Sequence, residues 1–474
     1  MISRRWLTEV YFLVAILWIS SPAWAQHTDR SPNIIYILAD DLGYGDLGCY
    51  GQQHIKTPNI DRLAAGGKKF TSFYAGSTVC APSRAALMTG LHTGHVSVRG
   101  NGEFPLPMEE KILPEYLKQN GYVNGMMGKW GLGLPYTTGS PEKRGWDYFS
   151  GHVHHVEGHY QHPDSAWQIQ GNQLNKIRIP GGQYANEWFT NEALNFIRKE
   201  KEHPFFLYLS FTLPHAELVV PEQFLQPYLN SNGESVFAPE IAHAPGQHYG
   251  PQPFPKAAYA AMVSQMDEYV GRVVEEIANL KLEGNTIIIF TSDNGTHQEG
   301  GRSRTDALEF FSSSGPFKGI KRDLYEGGIR VPFIVQWPGV IEPGTSTDLP
   351  AANWDLLHTF TNLAGVQVSE TDGFSLAPVW FNKNNKTSRK QLQQRVFYWE
   401  FYEQGYKQAV RKEKWKAIRY YKGSDPVRTE LYDLVTDRGE SRDLSAKEPA
   451  IVKQLEKIMD DQRRPSTNAA FQIR

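Results

Sequence analysis

Four apolar runs, each halted by a polar cluster, limit what this chain can fold into. Asn33 to Ala39 stops at Asp40-Asp41, and Val123 to Met127 runs into Gly128-Lys129. Phe205 to Leu213 ends at Pro214-His215, and Thr286 to Thr291 ends at Ser292-Asp293-Asn294. Near-continuous apolar strands belong to parallel sheets covered on both faces, whereas a half-exposed antiparallel sheet alternates. Helix-prone stretches lie between them: Asn59–Ala65, Ala85–Thr89, Ile112–Asn120, Ala185–Glu202 and Ala257–Leu280. The expected fold is α/β, a large mixed and mainly parallel sheet sandwiched by helices. In such sheets the ligand crevice lies off the carboxyl ends of the strands, so the polar clusters are expected to face one crevice.

The chain has 474 residues, 40% of them hydrophobic, enough for a large domain and a smaller one. Pro221 to Pro255 is rich in Pro, Gly, Gln and His with little periodicity, and reads as a long surface excursion that shapes a pocket. Asn382–Lys390 is a polar bridge. Beyond it Val396–Tyr402, Lys407–Arg411, Trp415–Tyr421 and Glu430–Leu434 read as short antiparallel strands, with a last helix at Pro449–Gln462. The expected division is a catalytic domain over 26–385 and a C-terminal α+β subdomain with an antiparallel sheet over 386–474. There are no internal repeats, and Asn385-Lys386-Thr387 fits the glycosylation pattern.

Arg4 and Arg5, the apolar run Val10 to Ile19, and Ala23-Trp24-Ala25 fit an export signal over 1–25, too short for a permanent span. The mature chain is expected in a periplasm or outside the cell, with no stable membrane anchor. A net charge of −2 gives no reason to expect nucleic acid as a partner. Cys49 and Cys80 are the two cysteines, and in an exported protein a pair suggests a disulfide.

Asp40, Asp41, Asp293 and Asn294 supply three carboxylates and an amide at two strand ends. Oxygen-only donors suit a hard divalent cation, Ca²⁺ before Mg²⁺. An Asp-Asp pair alone would as readily cap a turn, but the second acidic strand end favours the metal. Cys80-Ala81-Pro82-Ser83-Arg84 precedes the helix-prone run Ala85 to Thr89. Pro in a first turn places the cysteine where outward N–H groups favour anions. Arg84, four residues on, shares its face.

The spacing Cys-x-Pro-x-Arg resembles that of type I sulfatases, of the alkaline phosphatase-like superfamily. The resemblance runs from Pro32-Asn33-Ile34 to Leu431-Tyr432-Asp433-Leu434, with its blocks in family order. It implies that Cys80 is oxidised to 3-oxoalanine (formylglycine) by a formylglycine-generating or anaerobic maturation enzyme. One hydroxyl of the hydrate attacks sulfur and the other expels sulfate as the carbonyl re-forms. The resemblance thus implies an oxidised and unbridged Cys80, which leaves Cys49 as a spectator in the Gly48–Gly51 turn. The same resemblance puts Cys80 among the metal ligands and lets Arg84 hold the hydrate. Lys129 matches the sulfate-binding lysine, Lys321 a second lysine on the leaving-group side, and His215 the histidine at the ester oxygen. Many members carry a histidine where this chain has Gly131, and His159, within the cluster His152, His154, His155, His159 and His162, is expected to take its place. Arg99 and Asn101 are expected substrate contacts, and the substrate is expected to be a sulfated oligo- or polysaccharide. Two rival readings are a phosphomonoesterase or phosphodiesterase, which uses Ser or Thr and two zinc ions, and a non-catalytic glycan-binding relative.

Overall fold

A computed structural model describes residues 31–368, 370–381 and 386–473. The expected export signal and Asn385 lie outside the described residues. In chain order the strands of the large sheet are β1 (Asn33–Ala39), β2 (Lys68–Tyr74), β3 (Val123–Lys129), β4 (Tyr148–His152), β5 (Ser165–Gln170) and β6 (Gln173–Arg178). They continue with β7 (Phe205–Ser210), β8 (Thr286–Ser292), β9 (Arg330–Gln336), β10 (Thr345–Thr347) and β11 (Ala351–Ala352). The order across the sheet is β10-β2-β9-β8-β1-β7-β3-β4-β5-β6, with β11 paired to β2. The central strands β8, β1, β7, β3 and β4 are mutually parallel. Antiparallel strands flank them on both sides, so the sheet is mixed and mainly parallel as expected.

β1 shows why its sequence is apolar throughout. Ile34, Tyr36 and Leu38 enter one core, with Leu87 and Met88 of the Cys80–Thr89 helix and Phe360 of the Asp355–Leu363 helix. Ile35, Ile37 and Ala39 enter the opposite core, beneath the helices Ala185–Glu200 and Pro255–Asn279. A period of two with both faces covered leaves no place for a polar residue until the strand ends. The helix that carries Cys80 begins at Cys80 itself, five residues before the run read from sequence, because Val79 is extended (φ −145°) and Gly90 closes the helix in the left-handed region.

The second sheet is antiparallel, in the order β12 (Val396–Phe401), β13 (Lys407–Lys412), β14 (Trp415–Lys422) and β15 (Asp425–Asp433). The Pro449–Asp461 helix covers one face through Leu455 and Met459. The other face joins Phe397, Trp399 and Phe401 to Tyr74, Val79, Ile329 and Trp354 of the large domain in one core. Among the described residues, no helix is long and apolar enough to cross a membrane.

Candidate active site

Register brings the strand ends to one level, with Ala39 beside Ser292 and Gly128 beside Ser210. An extended chain would send Asp40 and Asp41 to opposite faces. Asp41 instead adopts φ 66°, a left-handed conformation that costs a non-glycine residue about 1–2 kcal/mol. With that twist Asp40, Asp41, Cys80 and Asp293 each bring a possible ligand atom within 4.8 Å of the others. The Cys80 sulfur is 3.3 Å from Asp40 Oδ1 and 3.9 Å from Asp41 Oδ1. The Asn294 amide nitrogen donates to Asp41 Oδ1 at 2.6 Å, while its buried Oδ1 has no hydrogen-bond partner. Oxygen donors with one acceptor left over fit a hard divalent cation.

Three cations face the three carboxylates. Lys129 Nζ lies 2.6 Å from Asp40 Oδ2, and Lys321 Nζ lies 2.6 Å from Asp41 Oδ2 and 2.9 Å from His215 Nε2. Arg84 donates from Nε and Nη2 to Asp293 Oδ2 at 3.1 and 2.8 Å, and from Nη1 to the Lys129 carbonyl and Ser210 Oγ. Two of its donors brace Asp293, and Nη2 also lies 3.7 Å from Asp40 Oδ1, the oxygen nearest the Cys80 sulfur. Cys80 and Cys49 are both unbridged, as expected.

Burial would push Asp40 up, but Lys129, with His215, Arg84 and Lys321, holds its carboxyl well below the usual range. Asp293 goes the other way: burial and the neighbouring Asp40 outweigh Arg84 and lift it to about 7. Burial, then Asp40, pushes the Cys80 thiol well above its ordinary value. Burial and Lys321 hold His215 well below neutral. His215 Nδ1 meets the Ala216 carbonyl at 2.6 Å, so the neutral ring presents Nε2 as an acceptor for the Lys321 ammonium. The proton on this side rests on Lys321.

Cys80, His215 and Lys321 open onto a cavity of about 1300 Å³. The Pro221–Pro255 excursion forms part of its wall through Pro239, Ile241, His243, His248 and Tyr249, as its composition suggested. His159 lines the cavity, stacked on His215 at 4.4 Å, and its Nδ1 meets Tyr249 Oη at 3.2 Å. Of the other clustered histidines only His155 also lines it. Gly131 has φ 77°, and a side chain there would meet His155 Cβ at 3.5 Å. His155 thus packs against Gly131, the position at which the family resemblance implies a histidine. His154 pairs with Glu103, His162 meets the Gly182 carbonyl, and His152 is buried with neither ring nitrogen partnered.

Asn101 lines the cavity and its side-chain oxygen accepts the Ala81 N–H at 3.0 Å, so it caps the nucleophile helix. Arg99 does not reach the cavity. It is 2% exposed and is bound to Glu400 Oε1 of β12 at 2.7 Å and to the Arg464 carbonyl at 2.9 Å. The expected substrate contact is a structural tie, because a partner 301 residues away captures the guanidinium. Sequence reasoning missed Glu299, which meets His215 at 3.3 Å, Tyr249 at 3.4 Å and Arg322 at 2.7 Å. It missed Glu403 as well, whose carboxylate accepts the Asn101 N–H at 3.2 Å. The Gln298-Glu299-Gly300-Gly301 stretch so soon after Asp293-Asn294 was the available signal for Glu299.

Known proteins resemble this chain over most of its length. The Sulfatase family model matches residues 32–366, and the model for the C-terminal part of N-sulphoglucosamine sulphohydrolase matches 317–465. N-Acetylgalactosamine-6-sulfatase of Sus scrofa is 34% identical over 376 residues, 74% of this chain and 66% of that protein. The chain therefore spans just under two thirds of that relative's length. Arylsulfatase A of Homo sapiens is 32% identical over 464 residues, 88% of this chain and 83% of that one. The crystal structure of Ps i-CgsB in complex with k-i-k-neocarrahexaose superposes with a TM-score of 0.74 at 30% identity, covering 92% and 94% of the two chains. This chain belongs to the sulfatase family.

Proposed function

We propose that this chain hydrolyses sulfate esters of carbohydrates, with Cys80 converted to formylglycine as the nucleophile and Ca²⁺, before Mg²⁺, held by Asp40, Asp41, Asp293, Asn294 and residue 80. The observation that carries the reading is the condition of Cys80. It opens onto the cavity and its sulfur sits among Asp40, Asp41 and Asp293, with the Lys129 and Lys321 ammonium groups braced on the same carboxylates. In the proposed reading the oxidised, hydrated side chain at this position supplies the attacking hydroxyl. A bound dication would supply Lewis-acid stabilisation of the developing charge.

The remaining work falls to the chain's own groups. Three carboxylates and three cationic side chains balance, so a dication would leave the centre net positive and receptive to an anionic ester. Arg84 locks Asp293 in place through two donors. Lys129 and Lys321 are preorganised cations for a sulfuryl group whose negative charge grows as the S–O bond breaks. The Lys321–His215 pair holds a transferable proton for the departing alkoxide. A sulfated carbohydrate is supported by the relatives' names, N-acetylgalactosamine-6-sulfatase and the neocarrahexaose complex. The reading includes export to a periplasm or beyond, and a maturation enzyme as transient partner.

The test is peptide mass spectrometry of fully active protein together with its metal content. The expected result is an aldehyde or its hydrate at position 80 and one calcium per chain. Fully active protein with an intact Cys80 thiol overturns the nucleophile assignment, and two zinc ions per chain would move the reading to phosphoryl transfer.

A further inference from the structure

The charges beyond the reaction centre describe the molecule that carries the sulfate. Three further cations belong to the cavity lining: Lys256, Arg302 and Arg322. Lys256 Nζ is taken by the Phe237 and Pro239 carbonyls at 2.7 and 2.9 Å. Arg302 is 2% exposed, bound to Thr296, Ser313 and the His297 carbonyl, and stacked 3.5 Å over Tyr259. Arg322 alone presents an accessible guanidinium, its side chain 32% exposed. It does not stand free. Glu299 Oε1 lies 2.7 Å from Nη1, and Glu403 Oε2 lies 3.6 Å from Nε.

Two carboxylates share this guanidinium. The next cation, Lys321 at 3.8 Å from Glu299, is already paired with Asp41, so neither cation at the rim stands without an acidic partner. Its geometry is held from the segment leading into the Cys80 helix: Arg322 adopts φ 76°, and its N–H donates to the carbonyl of Thr78, two residues before Cys80. Backbone strain of that kind persists where the surroundings enforce it, and it clusters at functional sites. A sugar hydroxyl donates to a carboxylate and accepts from a guanidinium, so it satisfies both kinds of group. A second sulfate or a uronate carboxylate meets Glu299 and Glu403 as like charges, which is unfavourable at short range. A pocket shaped for a polyanion would offer cations without acidic partners.

We propose that Glu299, Arg322 and Glu403 form the recognition rim for the leaving-group sugar, reading neutral ring hydroxyls and disfavouring a second anionic substituent beside the reacting sulfate. The proposal rests on the sulfatase reading above and adds the substrate class: a singly sulfated, otherwise neutral sugar unit.

The experiment compares matched mono- and disulfated galactose, N-acetylgalactosamine and glucosamine, with an aryl sulfate in parallel. The matured wild type is set against Glu403→Gln and Glu403→Lys. Glu403 touches none of the reacting groups, and the near-isosteric Gln variant guards against misfolding. The monosulfated member of the accepted pair is expected to win in kcat/KM by about tenfold or more. Glu403→Lys is expected to shrink that ratio by about tenfold, through KM rather than kcat. Calorimetric binding to Cys80→Ala protein is expected to rank the same pairs in the same order. A wild type that prefers disulfated sugars overturns the proposal, as does a ratio unmoved in both Glu403 variants. Hydrolysis of the aryl sulfate with no sugar accepted overturns the proposal but leaves the sulfatase reading standing. No hydrolysis of any sulfate ester removes the sulfatase reading, and the binding order then decides the rim by itself.

Discussion

At the strand ends Asp40, Asp41 and Asp293 face Arg84, Lys129 and Lys321; at the seam with the second sheet Glu326 and Glu440 face Lys416 and Arg330. Both clusters are buried and tightly paired. In the seam, Lys416 Nζ sits 3.0 Å from Glu326 and 2.9 Å from Glu440, and Tyr74 Oη donates to Glu326 at 2.7 Å. There burial raises both carboxyls, yet Lys416 and Arg330 bring Glu326 down to about 2 while Glu440 remains near 7. None of these groups lines the large cavity. The strand-end cluster differs in two ways: it opens onto that cavity, and it gathers three carboxylates and a cysteine whose ligand-type atoms lie within 4.8 Å of one another. A left-handed acidic residue is common to both, Asp41 here and Glu440 in the seam. Burial and ion pairing by themselves identify scaffolding as readily as a reaction centre. Access and the convergence of ligand-type atoms separate the two.

That contrast breaks most sharply at Cys80. Cys80→Ala is expected to cut sulfate release by about 10⁴-fold or more, with the unfolding midpoint nearly unchanged. Lys416→Met, in the seam, should do the reverse. It strands Glu326 and Glu440 and is expected to cost about 3–5 kcal/mol in denaturant unfolding, while the folded fraction keeps its specific activity. A Lys416 variant that stays stable but loses turnover would erase the distinction between the clusters.

A third expectation concerns acid. Burial holds His92, against Asp372, and His152 down to about 4. The unfolded chain takes up protons near 6.5, so between 6.5 and about 4 it binds more protons than the folded one. Stability present above that window is lost as pH falls through it, by on the order of 2–3 kcal/mol per histidine. A thermal midpoint that stays flat over this range would contradict it. The smallest effect expected is from Asn101→Ala, about 1 kcal/mol for one lost helix-start acceptor, read as a modest drop in the thermal midpoint.

Much of the fold was legible because β1, β3, β7 and β8 are buried on both faces and stop at polar residues. β2 and β9 were not legible: Lys68–Tyr74 mixes Lys, Thr and Ser with its aromatics, and Pro332 interrupts the reading of Arg330–Gln336. The metal-type donors and the cysteine lie at strand and helix ends, where local pattern speaks. The rim does not. Glu299, Tyr249, Arg322 and Glu403 come from separate loops, and only tertiary packing brings them together. Arg99 shows the same limit from the other side, since closeness to the nucleophile helix in sequence says nothing about which way a guanidinium points.

The second sheet has a practical consequence for anyone trimming this chain. Phe397, Trp399 and Phe401 share a core with Tyr74, Val79 and Trp354, and Glu403 reaches the cavity. The matched regions of the two family models overlap across 317–366, the stretch holding Lys321. A fragment ending at the polar bridge would be a broken enzyme with a greasy wound, not a lighter one; whatever evolves or is engineered here must carry both halves together.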